Sequence, residues 1–198
     1  MINVYEAPMR PDYEDVDDMS LFLAGGITGC PDWQSDLIGK LAANWAVKKP
    51  LTVYNPRRKD FDINNPDMTR EQITWEHYYL KGEPTCRHAI SFWFCDDAIQ
   101  PITLLEFGRW ITRKSTHANE GVFNSAVEVF VGIEPGYERE QDVRIQLELE
   151  RGVNNDESEP DYGFDVEVKV VDNLDDLTNQ IIGWGKYWEI NEEVTRKR

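Results

Sequence analysis

Four acidic side chains are the clearest candidates for chemistry in this sequence: Glu106, Glu76 and the adjacent pair Asp96 and Asp97. An ionised carboxylate can attack the anomeric carbon of a sugar while a second acid protonates or holds the leaving group. Where this chemistry retains the anomeric configuration, the two carboxyl groups lie about 5–5.5 Å apart. Acids are also common in first turns and on solvated faces of helices, so spacing alone leaves a purely structural interpretation open.

A glycine-rich stretch at residues 24–29, AGGITG, follows a short apolar run. Gly26 and Gly29 have the spacing of a dinucleotide-binding loop, but Ala24 stands where that motif has its first glycine. The stretch is not a P-loop, because it lacks the Lys-Ser/Thr pair with which a P-loop ends. Glycines here would let backbone approach a ligand, and a following helix N-terminus favours anions. Arg57 and Arg58 could hold an extra phosphate, which leaves an NADP-dependent protein as a weaker alternative. An ordinary tight turn is the structural alternative.

The cysteines and histidines show no metal-binding or disulfide spacing. Cys30, Cys86 and Cys95 are unclustered and no CxxC occurs, which predicts neither a disulfide framework nor a zinc site and suits a reducing cytoplasm. The three histidines do not form a motif such as HExxH. The sequence therefore predicts no metal site.

Two apolar patterns position the acids. Residues 89–95 form an aromatic-rich run that is typical of a strand buried on both faces. Residues 103–113 have helical apolar spacing, with Glu106 in the predicted first turn. Because the helix macrodipole favours negative charge at the N-terminus, we expect Glu106 to be ionised.

The remaining patterns alternate between strand and helix. Strands are predicted at 20–24, 51–54, 126–133 and 164–171, helices at 31–47, 69–80 and 174–190, and residues 137–151 fit either. This alternation predicts an α/β fold, with a doubly wound, flavodoxin-like (Rossmann-like), five-stranded, mostly parallel sheet and helices on both faces. Ligands bind such sheets at the carboxyl ends of the strands, so the loops at 25–29, 55–59 and 96–103 should converge on the site.

Length and charge bound the class of protein. The 198 residues favour a single domain, with a loosely held leader at 1–18 and a frayed tail at 191–198. A formal net charge of −16 argues against binding to a nucleic acid polymer or a membrane surface. No signal peptide is visible and no apolar run approaches the roughly 20 residues that span a bilayer, so we expect a cytoplasmic protein.

Four segments resemble, in the same order, the nucleoside 2-deoxyribosyltransferase-like family: FLAGGIT at 22–28, QITWE at 72–76, ISFWF at 90–94 and TLLEFGRW at 103–110. The resemblance covers residues 20–133. It implies a flavodoxin-like fold, a homo-oligomer whose neighbouring subunit helps to close each site, and cleavage of an N-glycosidic bond without a cofactor. The implied partners are a nucleoside or nucleotide and a free nucleobase.

The resemblance also implies a role for each acid. Glu106 stands at the position of the nucleophile that attacks C1′ of deoxyribose, and Glu76 at that of the acid that assists departure of the nucleobase. Further substrate-binding positions are implied at Gly25, Gly26, Thr28, Asp96, Asp97 and Thr103. A 5′-phosphate could be held by bidentate contacts from Arg57, Arg58 or Arg109.

The sequence departs from the family's pattern at two positions. Phe22 replaces a tyrosine that hydrogen-bonds the nucleophile in some members, and the loop before Thr103 lacks the usual glycine. Related members hydrolyse nucleotide glycosidic bonds instead of transferring the sugar. A (deoxy)nucleotide N-glycosidase is therefore the alternative function, and a catalytically silent nucleotide-binding module is a further one.

Overall fold

Strands and helices alternate along the chain, as the apolar patterns predict. The computed structural model describes residues 1–12, 18–82, 86–119, 127–150 and 168–196. In these parts of the chain the elements follow one another as β1 Ile2–Glu6, β2 Met19–Gly25, α1 Trp33–Asn44, β3 Leu51–Asn55, α2 Pro66–Tyr79, β4 Arg87–Phe94, α3 Pro101–Asn119, β5 Glu128–Ile133, α4 Glu140–Glu150, β6 Val170–Val171 and α5 Leu174–Arg196.

The strands form one parallel sheet in the order β1-β3-β2-β4-β5-β6. The chain leaves β2 toward β3 on one side and returns to β4 on the other, so the strand order reverses between β2 and β4. This arrangement confirms the predicted doubly wound, flavodoxin-like α/β fold. In such sheets the point of reversal is where ligands bind, outside the carboxyl ends of the strands.

The predicted strand count was wrong, because the sheet has six strands and not five. The additional strand is β1, which lies within the segment predicted to be a loosely held leader. It pairs with β3 along its whole length, from Ile2 opposite Leu51 to Glu6 opposite Asn55. Residues 2–6 are therefore part of the sheet.

Helices cover both faces of the sheet because alternate strand residues point to opposite sides. On β2, Phe22 belongs to the core beneath α2, α3 and α4, whereas Leu21 and Leu23 belong to the core beneath α1 and α5. Similarly, Phe92 of β4 packs in the first core and Trp93 in the second. Both strands are buried on both faces, which explains their nearly continuous apolar sequence.

The structure of the C-terminal half decides between helix and strand for residues 137–151 and changes the prediction for the C-terminal tail. Residues 140–150 are helical, so the charged segment that fitted either structure is α4. Helix α5 continues to Arg196, and most of the predicted frayed tail is therefore helical. Of the predicted strand at 164–171, Val170 and Val171 form β6, and residues 164–167 lie outside the described part of the chain.

The described helices differ from membrane-spanning helices. Among them, none has both the length and the apolar character needed to cross a bilayer.

Candidate active site

Helix α2 presents Glu76 at the edge of its buried face. The helix begins after Asn65, whose Oδ1 accepts hydrogen bonds from the backbone N–H groups of Asp67 and Met68 at 3.0 and 3.3 Å. This is the usual arrangement for an N-cap residue. Three α2 side chains are buried against the sheet at helical spacing: Gln72, Trp75 and Tyr79. Glu76 lies one turn after Gln72 and borders this face, so its carboxyl group is half-buried.

Helix α3 presents Glu106 in the same way. Its buried stripe consists of Thr103, Phe107 and Trp110, and Glu106 adjoins this stripe, half-buried. The helix begins at Pro101, two residues earlier than predicted, and its first turn contains no acid. The prediction that Glu106 occupies the first turn is therefore wrong. Because the effect of the macrodipole fades beyond the first turn, it gives little support to an ionised Glu106.

Glu76 and Glu106 are close enough to influence each other's ionisation, although they belong to different helices. Burial raises the pKa of Glu106 to about 8, the negative charge of Glu76 adds to the rise, and Arg109 opposes it. Burial also raises the pKa of Glu76. Burial is the largest cause of the rise at both carboxyl groups, because it disfavours the charged form. A pKa raised to about 8 favours the protonated form of Glu106 near neutral pH, whereas the sequence predicted an ionised group.

Gln72 fixes the position of Glu76 and was not identified from the sequence. Its Nε2 donates hydrogen bonds to Glu76 Oε1 at 2.8 Å and to the backbone carbonyl of Pro56 at 2.7 Å. The carbonyl of Pro56 can only accept, which settles the orientation of the amide group. The bond from Gln72 lowers the pKa of Glu76 against the effect of burial. The four-residue spacing of Gln72 and Glu76 is the signal that could have indicated this contact.

The glycine loop is close-packed against protein atoms. A Cβ at Gly25 would lie 2.6 Å from the carbonyl oxygen of Trp93, and one at Gly26 would lie 2.7 Å from Cδ of Gln100. Neither position has room for a side chain, so this packing alone requires glycine. Thr28, further along the loop, is exposed.

Two arginines predicted as phosphate ligands are engaged within the protein. Arg57 donates from Nε to Gln34 Oε1 at 2.8 Å and from its guanidinium group to the carbonyl of Pro31 at 2.7 Å, and it pairs with Asp32 at 3.3 Å. It thereby ties the β3–α2 loop to the β2–α1 loop. The side chain of Arg58 is 7% exposed and pairs with Asp60 at 2.9 Å and with Glu71 at 2.8 Å.

Arg109 differs from these two because it is exposed and acts on the acidic pair. It lies on α3 and its positive charge lowers the pKa of Glu106. Of the three arginines considered for a 5′-phosphate, Arg109 is therefore the one placed beside Glu106 with its side chain open to solvent.

Asp96 and Asp97 lie just after β4, at the carboxyl edge of the sheet. Both are exposed, and together with Glu134 after β5 they bring one carboxylate oxygen each within 4.8 Å of one another. The backbone N–H of Asp96 also donates to Glu134 Oε2 at 3.2 Å. Such oxygens suit a hard cation in principle. Exposed acids commonly cluster without an ion, and we assign no metal to them.

Cys30 and Cys95 form a disulfide, which corrects the prediction of three unclustered cysteines. They are 65 residues apart in the sequence, but the fold brings the β2–α1 loop against the end of β4. The amide of Gln100 donates to Cys95 Sγ at 3.2 Å and to the backbone carbonyl of Cys95 at 2.8 Å. Sequence spacing could not reveal this pair, because the contact depends on two strands meeting in the sheet.

An open groove of about 590 Å³ lies away from the acidic pair, along the first half of α2. It is lined by Ile63, Asn64, Pro66, Thr69, Arg70, Ile73 and Thr74. Neither Glu76 nor Glu106 contributes to it. We place the candidate site at the paired carboxyl groups, since chemistry needs reactive groups and the groove offers none beyond a single arginine.

The chain matches a known protein family. Residues 18–118 match the profile of the family described as nucleoside 2-deoxyribosyltransferase like. The matched region begins just before β2 and ends in α3, so it contains both helices that carry the acidic pair. A search of curated proteins finds no similar sequence.

Proposed function

Because the chain belongs to the nucleoside 2-deoxyribosyltransferase-like family, we propose that it cleaves the N-glycosidic bond of a (deoxy)nucleoside or nucleotide and transfers the deoxyribosyl group to a second nucleobase. The observation that carries this proposal is that α2 and α3 present two half-buried acids, Glu76 and Glu106, with the charge of Glu76 adding to the raised pKa of Glu106. Glu106 is the nucleophile in this proposal and Glu76 is the general acid.

A single proton that moves between the two acids accounts for the charge states that the reaction requires. In the ligand-free protein the proton resides on Glu106, whose pKa is raised to about 8. Glu76 accepts a hydrogen bond from Gln72, which favours its ionised form. Transfer of the proton from Glu106 to Glu76 when the substrate binds produces an ionised nucleophile and a protonated acid. One proton therefore serves both residues in turn.

The first half of the reaction forms a covalent intermediate. A carboxylate oxygen of Glu106 bonds to C1′ of the sugar as the bond from C1′ to the base nitrogen breaks, and Glu76 gives its proton to the departing base. In the second half, a nitrogen of the incoming base attacks C1′ and loses its proton to Glu76, and Glu106 is released. Two displacements at C1′ retain the anomeric configuration.

The neighbouring residues have proposed roles in binding. Arg109 is exposed beside Glu106 and is suited to a 5′-phosphate or to the sugar oxygens. Thr103 lies one turn before Glu106, and Gly25, Gly26 and Thr28 form the loop after β2. Asp96 and Asp97 remain proposed contacts of the base, approaching from the end of β4.

A second copy of the chain is proposed to complete the site, as in the family. Support comes from three apolar side chains spaced three residues apart, one in the loop before α3 and two in α3 itself. These are Ile99, Ile102 and Leu105, which are 50%, 62% and 71% exposed. Contiguous exposed apolar side chains mark interaction surfaces. This one adjoins the helix that carries Glu106.

The direct test is a base-exchange assay. The protein is incubated with a deoxynucleoside and a different free nucleobase, and the new nucleoside is quantified by chromatography. We expect Glu106→Ala to abolish exchange. We expect Glu76→Ala to slow it by about 10²–10⁴-fold, the usual contribution of a general acid. Glu148→Gln, at an exposed glutamate of α4, is the matched control and should react at the wild-type rate.

Three other results would redirect the proposal. Retained exchange in Glu106→Ala would refute the covalent mechanism. Release of base from a nucleotide at full rate without an acceptor base would identify an N-glycosidase. Thermal stabilisation by a nucleotide without any product would identify a binding module.

A further inference from the structure

We propose that Cys30 and Cys95 are a site of reversible thiol oxidation, and that their disulfide fastens the glycine loop to the end of β4. Both residues lie at the carboxyl edge of the sheet, one in the β2–α1 loop and the other directly after β4. The effect on loop structure is independent of the reaction proposed above. The effect on activity rests on that proposed function.

The positions of the two residues allow the bond to form without moving the backbone. Their Cα atoms are 6.5 Å apart, within the roughly 4.4–6.8 Å found for disulfides. Hydrogen bonds fix the position of each residue. The backbone N–H of Cys30 donates to the carbonyl of Ile27, and Cys95 accepts two hydrogen bonds from the side-chain amide of Gln100. The fold therefore places the two cysteines at a separation suited to a disulfide and holds each of them there through noncovalent contacts.

The two sulfurs differ in access. Cys95 is 1% exposed, whereas Cys30 is partly exposed. A disulfide or thiol from solution must therefore react first at Cys30. The amide of Gln100 donates to Cys95 Sγ and holds this sulfur in place beside Cys30. Cys30 is thus the residue that meets the reagent and Cys95 the one that resolves the mixed disulfide.

The oxidant in this proposal is a small disulfide such as oxidised glutathione. The Cys30 thiolate attacks one of its sulfur atoms, which forms a mixed disulfide and releases one thiol. The Cys95 thiolate then attacks Cys30 Sγ and releases the second thiol. Two protein thiols are oxidised, one external disulfide is reduced to two thiols, and the two protons leave with these thiols. A reducing thiol reverses the sequence.

Oxidation would affect the candidate site because the disulfide is packed against the loops that shape it. A Cβ at Gly26 would lie 2.7 Å from Cδ of Gln100, so the glycine loop, Gln100 and Cys95 form one packed unit. The backbone carbonyl of Gln100 also accepts the hydrogen bond from Leu104 that begins α3. Reduction removes the covalent link in this unit, and the glycine loop is then held by noncovalent contacts alone.

The test uses the full chain equilibrated with defined ratios of reduced and oxidised glutathione. Thiols are counted by alkylation and mass spectrometry, and hydrogen exchange is measured in peptides covering residues 25–33 and 95–104. Oxidation should remove two alkylation sites and slow exchange in both peptides. It should also raise the Tm by about 10 °C, since a disulfide that closes a loop of this length strongly restricts the unfolded chain. Cys30→Ser should lose all three responses, and Cys86→Ser should keep them, because Cys86 forms no disulfide.

Two outcomes would overturn the proposal. One is three alkylated cysteines after treatment with oxidised glutathione. The other is a disulfide that forms without changing either the exchange of the two peptides or the Tm. Base exchange is measured in both redox states as a separate arm. If neither state shows exchange, the proposed function fails while the loop measurements still decide the redox proposal.

Discussion

The raised pKa of Glu106 predicts that this residue lowers stability as the pH rises. The folded protein holds the Glu106 proton more tightly than the unfolded chain does, because burial and the charge of Glu76 raise its pKa from 4.5 to about 8. The resulting stabilisation is fully present below pH 4.5 and is lost as the pH rises through 8. Glu106→Gln keeps the shape of the side chain and removes its titration, so the variant should not suffer this loss.

The magnitude follows from the size of the pKa change. One pKa unit corresponds to about 1.4 kcal/mol, so a rise from 4.5 to about 8 corresponds to about 5 kcal/mol of unfolding free energy. Solvent screens a half-buried carboxyl group, which reduces the expected effect to roughly 2–5 kcal/mol. Glu106→Gln should therefore match the wild type near pH 4.5 and exceed its stability by that amount at pH 8.5.

Denaturant unfolding at several pH values measures this difference directly. The free energies of unfolding of wild type and Glu106→Gln are subtracted at each pH, which removes the general effect of the net charge. Glu148→Gln, at an exposed position on α4, provides the control and should give a difference that hardly changes with pH. If the difference for Glu106→Gln were equally flat, Glu106 would not be a buried, coupled carboxyl group, and the proton-sharing mechanism would fail with it.

Two further predictions concern the support of the site and its apolar border. Gln72→Met removes the hydrogen bond that lowers the pKa of Glu76. The ¹³C NMR resonance of the Glu76 carboxyl group should therefore titrate at higher pH in this variant. Thr178→Val, the control, loses a side-chain hydrogen bond on α5 and should leave the Glu76 titration unchanged. An unaltered Glu76 titration in Gln72→Met would reduce Gln72 to a packing role. If the exposed apolar face with Ile99, Ile102 and Leu105 joins two copies of the chain, Leu105→Glu should lower the mass measured by light scattering. Leu149→Glu, at a 66% exposed leucine of α4, should not change this mass. Equal masses for the wild type and both variants would show that α3 is not part of the interface.

The central elements of the fold were predictable because their sequence pattern has a single physical explanation. The aromatic run at residues 89–95 became β4, which lies between β2 and β5 and is buried on both faces. By contrast, β1 was missed. It is an edge strand with one neighbour, its residues are only partly buried, and its short sequence mixes Asn3 and Glu6 with apolar residues. Such a strand depends on its pairing with β3 and on the packing of Ile2, Val4 and Tyr5 against the two cores, and its short sequence does not reveal these contacts.

The sequence singled out Glu76 and Glu106 by residue type and by resemblance to the family, and their roles remain predictions. The structure adds that they lie on different helices and that the charge of Glu76 raises the pKa of Glu106. Their charge state was not predictable, because it depends on burial and on how close two helices approach. Arg57 shows the same limitation: its basic sequence context suggested phosphate, but its partners Pro31, Asp32 and Gln34 come from a distant part of the chain.

The pairing of β1 with β3 affects how the chain must be assembled during synthesis. Ile2 lies opposite Leu51, so β1 leaves the ribosome well before its partner does. At about 5–20 residues per second, the strand spends several seconds with both rows of N–H and C=O groups open to other chains. Parallel pairing between distant segments is also slow to form. Among the described strands, β1 thus waits longest for its first partner and is the one most open to pairing with another chain during synthesis.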